Sequence, residues 1–233
     1  MSVKIGVIGC GPWSEVIQKC IKNNPNYELR YLVCRNESRL KNIKNKKILV
    51  YKSFKELLSE YIPDAIFVCG DPRTNYSIIK KAHDLNINCI IEKPICFSPN
   101  HFREIKRLHK LKKNKLFVNL PNLNDEKFLK LKKIVFKRKI LKVNIIEGSM
   151  GPFRKNIDPI WDWGTHPLTT LYYFFNFENT YNYKIKKIIN RNEIKVYNIK
   201  FKYEDIHLKI LTGNYFKSKK RIIKFFFNNN DFI

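Results

Sequence analysis

Short apolar runs rich in β-branched residues recur along the first 120 positions, each followed by a stretch with helical spacing. VKIGVIG at 3–9 is the first, and it leads through a glycine turn into a helical stretch that runs to Lys22. YELRYLVC at 27–34, DAIFVCG at 64–70, NINCIIEKP at 86–94 and KLFVNL at 115–120 repeat the theme. Helical patterns occupy 53–61, 73–85 and 98–113 between them. The first of these opens with Ser53 and Glu56 in capping-box spacing, and Pro99 stands near the first position of the last. Apolar strands that alternate with helices predict a parallel sheet covered on both faces.

The pattern changes in the second half. Strand-like runs at 141–149, 183–191, 193–203, 205–215 and 221–227 follow one another with turn-like breaks and few helices. They predict an antiparallel or mixed sheet with one face on helices. KFFFN near the end reads as an adhesive edge unless covered, so self-association into a homo-oligomer is expected.

The turn after the first run reads Gly9-Cys10-Gly11-Pro12-Trp13-Ser14, a G-x-G-x-x-S variant of the dinucleotide fingerprint G-x-G-x-x-G/A. Gly9 permits the tight turn, and Gly11 lets backbone approach a pyrophosphate at the helix N-terminus. With Pro12 and Trp13 they form the candidate cofactor cradle. Ser14 replaces the third glycine by another small residue. The fold class is therefore α/β: a Rossmann parallel sheet over 1–120 and a smaller α+β domain over 121–233 with an open, mostly antiparallel sheet. An NAD-binding site normally carries an acid at the tip of the second strand. Here Cys34-Arg35-Asn36-Glu37-Ser38-Arg39 puts no carboxylate at the tip, and Arg35, Ser38 and Arg39 suit a 2′-phosphate. NADP is the preferred cofactor on this reading, with NAD the alternative.

Bulk properties narrow the classes further. With 44% hydrophobic and 14% aromatic residues the chain can bury a sizeable core, so disorder is not expected. The first apolar run is too short and glycine-broken for a signal peptide, and no later run reaches the length of a membrane span. A soluble, cytoplasmic protein without a membrane partner is expected. The six cysteines all fall in the first hundred residues without a C-x-x-C pair; they read as reduced small hydrophobes, with no metal site. The net charge of +26 raises the question of nucleic acid. Its basic residues are spread over nearly every element without one arm or reader motif, so a nucleic-acid partner is not expected. The positive field favours anionic ligands such as dinucleotides and nucleotide sugars.

WDWGTHPL at 161–168 is the remaining candidate for chemistry. Pro167 suits the first position of a helix, so His166 is expected at a helix N-terminus, with Gly164 supplying a bend and Asp162 lying before the helix. The positive end of that helix favours neutral imidazole, which a general base needs. Asp162 would orient the ring, and Trp161 and Trp163 would exclude water.

Together IGVIGCGPW, IIEKP at 90–94 and WDWGTHPL resemble the glucose–fructose oxidoreductase and inositol 2-dehydrogenase family. The resemblance implies oxidation or reduction of a hydroxyl carbon on sugars, cyclitols or nucleotide-linked sugars. It implies catalytic roles for Lys93, Asp162 and His166, with Glu92 and Lys93 also touching the cofactor. The stretch 151–168 looks most like members acting on sugars for cell-surface polysaccharides. Asn75 stands where the family often has histidine, and Thr169 where it often has aspartate. The residues after Leu120, 113 in number, are fewer than the family's second domain implies. A catalytically inactive cofactor-binding or regulatory protein on the same fold is the alternative reading.

Overall fold

In a computed structural model that describes residues 2–40, 47–177, 182–228 and 231–233, the chain divides into two units, Met1–Asn119 and Leu120–Ile233. In the first, six strands alternate with five helices: β1 (Val3–Ile8), α1 (Pro12–Lys22), β2 (Tyr27–Val33), α2 (Glu37–Leu40), β3 (Leu49–Tyr51), α3 (Phe54–Glu60), β4 (Ala65–Val68), α4 (Pro72–Asp84), β5 (Asn88–Glu92), α5 (Pro99–Leu111) and β6 (Leu116–Asn119). All pair in parallel in the order β3-β2-β1-β4-β5-β6, the doubly wound arrangement expected of a Rossmann sheet. Side chains along β1 alternate between layers: Val7 packs with Ile17, Ile21 and Leu32, whereas Ile8 packs with Val33, Ile66 and Ile79 on the other face. β3 has three residues, too few for its periodicity to stand out in the sequence.

Local chemistry starts the helices where it was expected to. Ser53 Oγ accepts from the Glu56 amide at 3.1 Å while the Glu56 carboxylate accepts from the Lys52 amide at 2.8 Å. Ser98 caps α5 in the same way, ahead of Pro99. Asp71 caps α4, a start signal that the sequence reading did not use.

The second unit holds a 3₁₀ turn (Pro121–Asn124), α6 (Glu126–Val135), β7 (Ile140–Met150), a π-helical turn (Ile160–Gly164), α7 (Thr165–Phe175), β8 (Tyr183–Arg191), β9 (Ile194–Tyr203), β10 (Ile206–Gly213) and β11 (Tyr215–Phe227). Its sheet runs β11-β7-β10-β9-β8, antiparallel except for the parallel pair β7–β10. Leu171, Phe174 and Phe175 of α7 pack on Val143, Ile145, Ile210 and Phe225, with the Phe174 and Phe225 rings 4.9 Å apart. Asn176 ends α7 in the left-handed conformation at φ 47°, its amide bonding the Tyr172 carbonyl.

The expected adhesive edge is partly covered. Phe225 and Phe227 are buried on the helix side of β11. The chain end folds back on the same strand, with Phe225 and Ile233 exchanging both backbone bonds at 2.8 and 3.0 Å. Phe226 stacks near Phe232 at 5.9 Å.

Candidate functional site

The carboxyl ends of β1, β2 and β4 surround a cavity of about 470 Å³ lined by Gly9, Cys10, Cys34, Arg35, Asn36 and Asp71 among others. This is the crevice where doubly wound sheets bind ligands. Gly9 sits at φ +114°, and a Cβ there would stand 2.9 Å from the backbone of Cys69 and Gly70. Gly11 caps α1 in an extended conformation with Pro12 first in the helix. Ser14 is fully buried and donates its hydroxyl to the Gly9 carbonyl at 2.7 Å. The serine therefore ties the turn to the helix, replacing the close packing of a third glycine by a hydrogen bond. The turn and its glycines fit a pyrophosphate.

The β2 tip carries Arg35 in the cavity wall. Ser38 donates to the Asn36 side chain at 2.6 Å, and Arg39 Nη1 donates to the Cys10 carbonyl at 2.7 Å. Arg39 thus brackets the glycine turn. Asp71 also lines the cavity and escaped the sequence reading; its bond from the Arg73 guanidinium holds its carboxyl below the usual range.

One sequence expectation fails here. Cys10 and Cys34, read as reduced, are joined by a disulfide across 5.5 Å between Cα atoms. Parallel pairing of β1 with β2 brings the ends of the two strands side by side, a proximity that a spacing of 24 residues does not reveal. Cys20, Cys69, Cys89 and Cys96 are free, and burial pushes the Cys89 thiol up to about 12 and the Cys69 thiol to about 11.

Glu92 and Lys93 follow at the end of β5. Glu92 accepts from the Trp13 indole and from the Asn119 amide, which links the glycine turn to the Glu-Lys-Pro segment. Lys93–Pro94 is a cis peptide bond, and the buried Asn75 amide donates to the Pro94 carbonyl at 3.1 Å. The residue that departs from the family pattern is therefore a strut for the turn that presents Lys93.

Asp162 and His166 belong to the second unit, and their surroundings differ from expectation. Ile160–Gly164 forms a π turn that runs directly into α7 at Thr165. Asp162 is therefore inside the helical run, not ahead of it, and Pro167 is the third residue of α7. His166 is therefore past the first turn of the helical run, where a place at its N-terminus had been expected. Gly164 is helical at φ −69° and supplies no bend; a Cβ there would meet Ile160 at 3.0 Å and Thr212 at 3.6 Å. The physical reason lies in Pro167, which lacks an N–H and crowds the carbonyl four residues back; a widened turn relieves both, and such turns favour functional sites. Asp162 is ion-paired with Arg154 at 3.4 Å. Trp163 donates to the Gly151 carbonyl at 3.2 Å, whereas Trp161 is exposed.

Asp158, which the sequence reading passed over, anchors this turn. It accepts from the Ile160 amide at 3.0 Å, the Tyr197 hydroxyl at 2.6 Å and the Lys195 ammonium at 2.6 Å. Burial alone would raise its carboxyl, but the bonds from Lys195, Tyr197 and the Ile160 amide outweigh burial and hold it below the usual range. A lowered folded value means that Asp158 adds stability above the ordinary carboxyl range and that this is lost as pH falls through the folded value. Asp158→Ala is expected to cost about 2–3 kcal/mol in urea unfolding at neutral pH, from loss of charge-assisted bonds and an unpaired buried Tyr197 hydroxyl. The difference from wild type should shrink as the pH is taken down to about 3.

With this geometry in view, comparison with known proteins is decisive at the family level. The family model described as an oxidoreductase family with an NAD-binding Rossmann fold, of the glucose–fructose oxidoreductase and inositol dehydrogenase group, matches residues 3–120. The chain belongs to this family. No curated protein matches the sequence. Among solved structures, a putative oxidoreductase from Magnetospirillum magnetotacticum superimposes with a TM-score of 0.86 at 18% identity, over 97% of this chain and 75% of the other. Myo-inositol 2-dehydrogenase from Lactobacillus plantarum does so at 0.86 and 15% identity, over 100% and 76%. UDP-N-acetylglucosamine 3-dehydrogenase from Acidithiobacillus ferrooxidans gives 0.81 and 14% identity, over 98% and 75%. At these identities the three share the fold with this family member. No helix among the described residues is long and apolar enough to cross a membrane, and these residues hold no group of ligands suited to a metal ion.

Proposed function

We propose that this family member transfers hydride between a nicotinamide cofactor and a hydroxyl or keto carbon of a sugar or nucleotide-activated sugar, in the assembly of surface polysaccharide. The observation that carries the reading is the glycine turn beside an open cavity at the carboxyl ends of β1, β2 and β4. The dehydrogenases of myo-inositol and UDP-N-acetylglucosamine named among its structural neighbours support the substrate class.

The bound nicotinamide would supply the hydride acceptor or donor. His166 accepts the substrate hydroxyl proton in the oxidative direction and returns it in the reductive one. Lys93 hydrogen-bonds the same oxygen and stabilises its developing negative charge. Asp162 orients the His166 ring. Asn75 and Glu92 hold the segment that carries Lys93. Work takes place in a cytoplasmic homo-oligomer on this reading.

NADP is the preferred cofactor, because Arg35 occupies the strand-tip position where NAD enzymes place a carboxylate. Parallel fluorescence titrations with NADPH and NADH should show NADPH bound about tenfold more tightly, and Arg35→Asp should remove that preference or invert it. Tighter binding of NADH by wild type would assign the cofactor as NAD, and equal affinities would remove the preference. Binding of neither by folded protein would exclude the oxidoreductase reading. Steady-state screening with nucleotide sugars and cyclitols then identifies the substrate.

A further inference from the structure

The second sheet presents two unlike faces. Val143, Ile145, Ile199, Leu208, Ile210 and Phe225 point toward the helices and form the core. The residues between them point away, and there strand pairing sets like charges side by side. Lys184 on β8 lies opposite Lys200 on β9, and Lys200 opposite Lys209 on β10. Lys209 is opposite Asn144 on β7, and Asn144 opposite Lys224 on β11. One row across the sheet is therefore lysine at four of its five positions. The next row on this face contains Lys202, His207 and Lys142 in register. These lysines and His207 are exposed. Neither row contains an acidic residue, and the counter-charge shown for them is Asp205 in the β9–β10 turn, 3.4 Å from Lys202.

Like charges directly opposite one another are unfavourable in a sheet. Neighbouring strands are about 4.8 Å apart, so the row is a line of closely spaced positive charge that an extended anion can bridge. The two rows wall a groove of about 670 Å³ lined by Lys142, Lys184, Lys200, Lys202, His207 and Lys209. A groove admits a chain; a bilayer would meet a flat or convex surface. Lysine is a compact point charge suited to phosphate but lacking the fork that reads base edges. Of the aromatic residues here, Phe201 lines the groove but is buried, and Phe226 lies at the margin beside Lys142, so the face offers few platforms for stacked bases.

We propose that this face binds the sugar–phosphate backbone of a single-stranded nucleic acid, by charge and without reading its sequence. Basic residues that look dispersed along the chain are concentrated here by strand register, which sequence position does not show. The proposal is independent of the dinucleotide site.

Fluorescence anisotropy with a labelled oligouridylate tests it, using the full chain. About four neutralised phosphates give a slope near −3 in log affinity against log salt, or roughly 60-fold weaker binding between about 50 and 200 mM. Oligocytidylate should bind within about twofold of oligouridylate. Lys200→Glu with Lys209→Glu should weaken binding at least about 30-fold and flatten the slope, while melting no lower than wild type, because the pair with Lys184 becomes attractive and positions 200 and 209 merely exchange one like-charge pair for another. Lys200→Gln with Lys209→Gln should shift both readouts in the same directions, less steeply. Lys106→Glu with Lys110→Glu on the exposed face of α5 makes the same net-charge change elsewhere and should cost less than about threefold. Equal losses from the two glutamate pairs would reduce the effect to net charge and overturn the proposal. So would absence of oligonucleotide binding at low salt, or phosphatidylserine vesicles binding through these lysines where the oligonucleotide does not.

Discussion

Gly11→Val is expected to abolish dinucleotide binding, by at least about 100-fold, while leaving the fold intact. An ideal Cβ at Gly11 meets one neighbour within contact range, the flexible Arg39 Nη1 at 3.6 Å. The backbone there is extended at φ −79° and ψ 176°, which valine adopts readily. The ligand-free protein therefore loses little. A pyrophosphate seated on the amides that open α1 needs the space the branched side chain would fill. Gly9→Val is the instructive contrast. Its Cβ would press on the Cys69 and Gly70 backbone at 2.9 Å with φ at +114°, so destabilisation of roughly 2–4 kcal/mol is expected before any ligand is present. Urea unfolding and NADPH titration on both variants separate the two effects. Binding within threefold of wild type in Gly11→Val would remove the dinucleotide from this turn.

His166→Ala and Lys93→Met are each expected to lower hydride-transfer turnover by about a thousandfold on the sugar that screening identifies. The two losses differ in kind. Removing the imidazole takes away the proton acceptor, so cofactor affinity should stay within about threefold and a small exogenous base such as imidazole should restore part of the rate. Removing the ammonium takes away stabilisation of the oxygen, and the rate should not respond to added base. Single-turnover measurement of nicotinamide absorbance, with cofactor affinity determined separately, distinguishes chemistry from binding. Turnover that survives both substitutions would release Lys93 and His166 from catalysis and leave the family fold with a binding role.

Much of this molecule was legible one residue at a time. The strand–helix alternation, the capping box at Ser53 and Glu56, and the glycine turn at Gly9 and Gly11 follow from local sterics and side-chain period. They can be read without knowing what lies across the sheet. The candidate chemistry was legible for the same reason: Glu-Lys-Pro and Trp-Asp-Trp-Gly-Thr-His are contiguous stretches. Their supports were less so, because Asn75 reaches Pro94 and Asp158 reaches Tyr197 and Lys195 across long sequence separations.

What the sequence by itself determined is therefore the kind of most of the longer elements and the residues offered at their ends. Tertiary structure alone decided how those ends meet. Parallel pairing of β1 and β2 joined Cys10 to Cys34, where composition suggested separate thiols. The proline of α7 widened the preceding turn and drew Asp162 into the helical run, where a bend had been expected. The register of β8, β9 and β10 lined up Lys184, Lys200 and Lys209, although each is one lysine among many along the chain. Helical and strand periods act over a few residues and leave their mark in sequence. Register between distant strands is set by the summed burial of whole faces, and no single segment carries that sum.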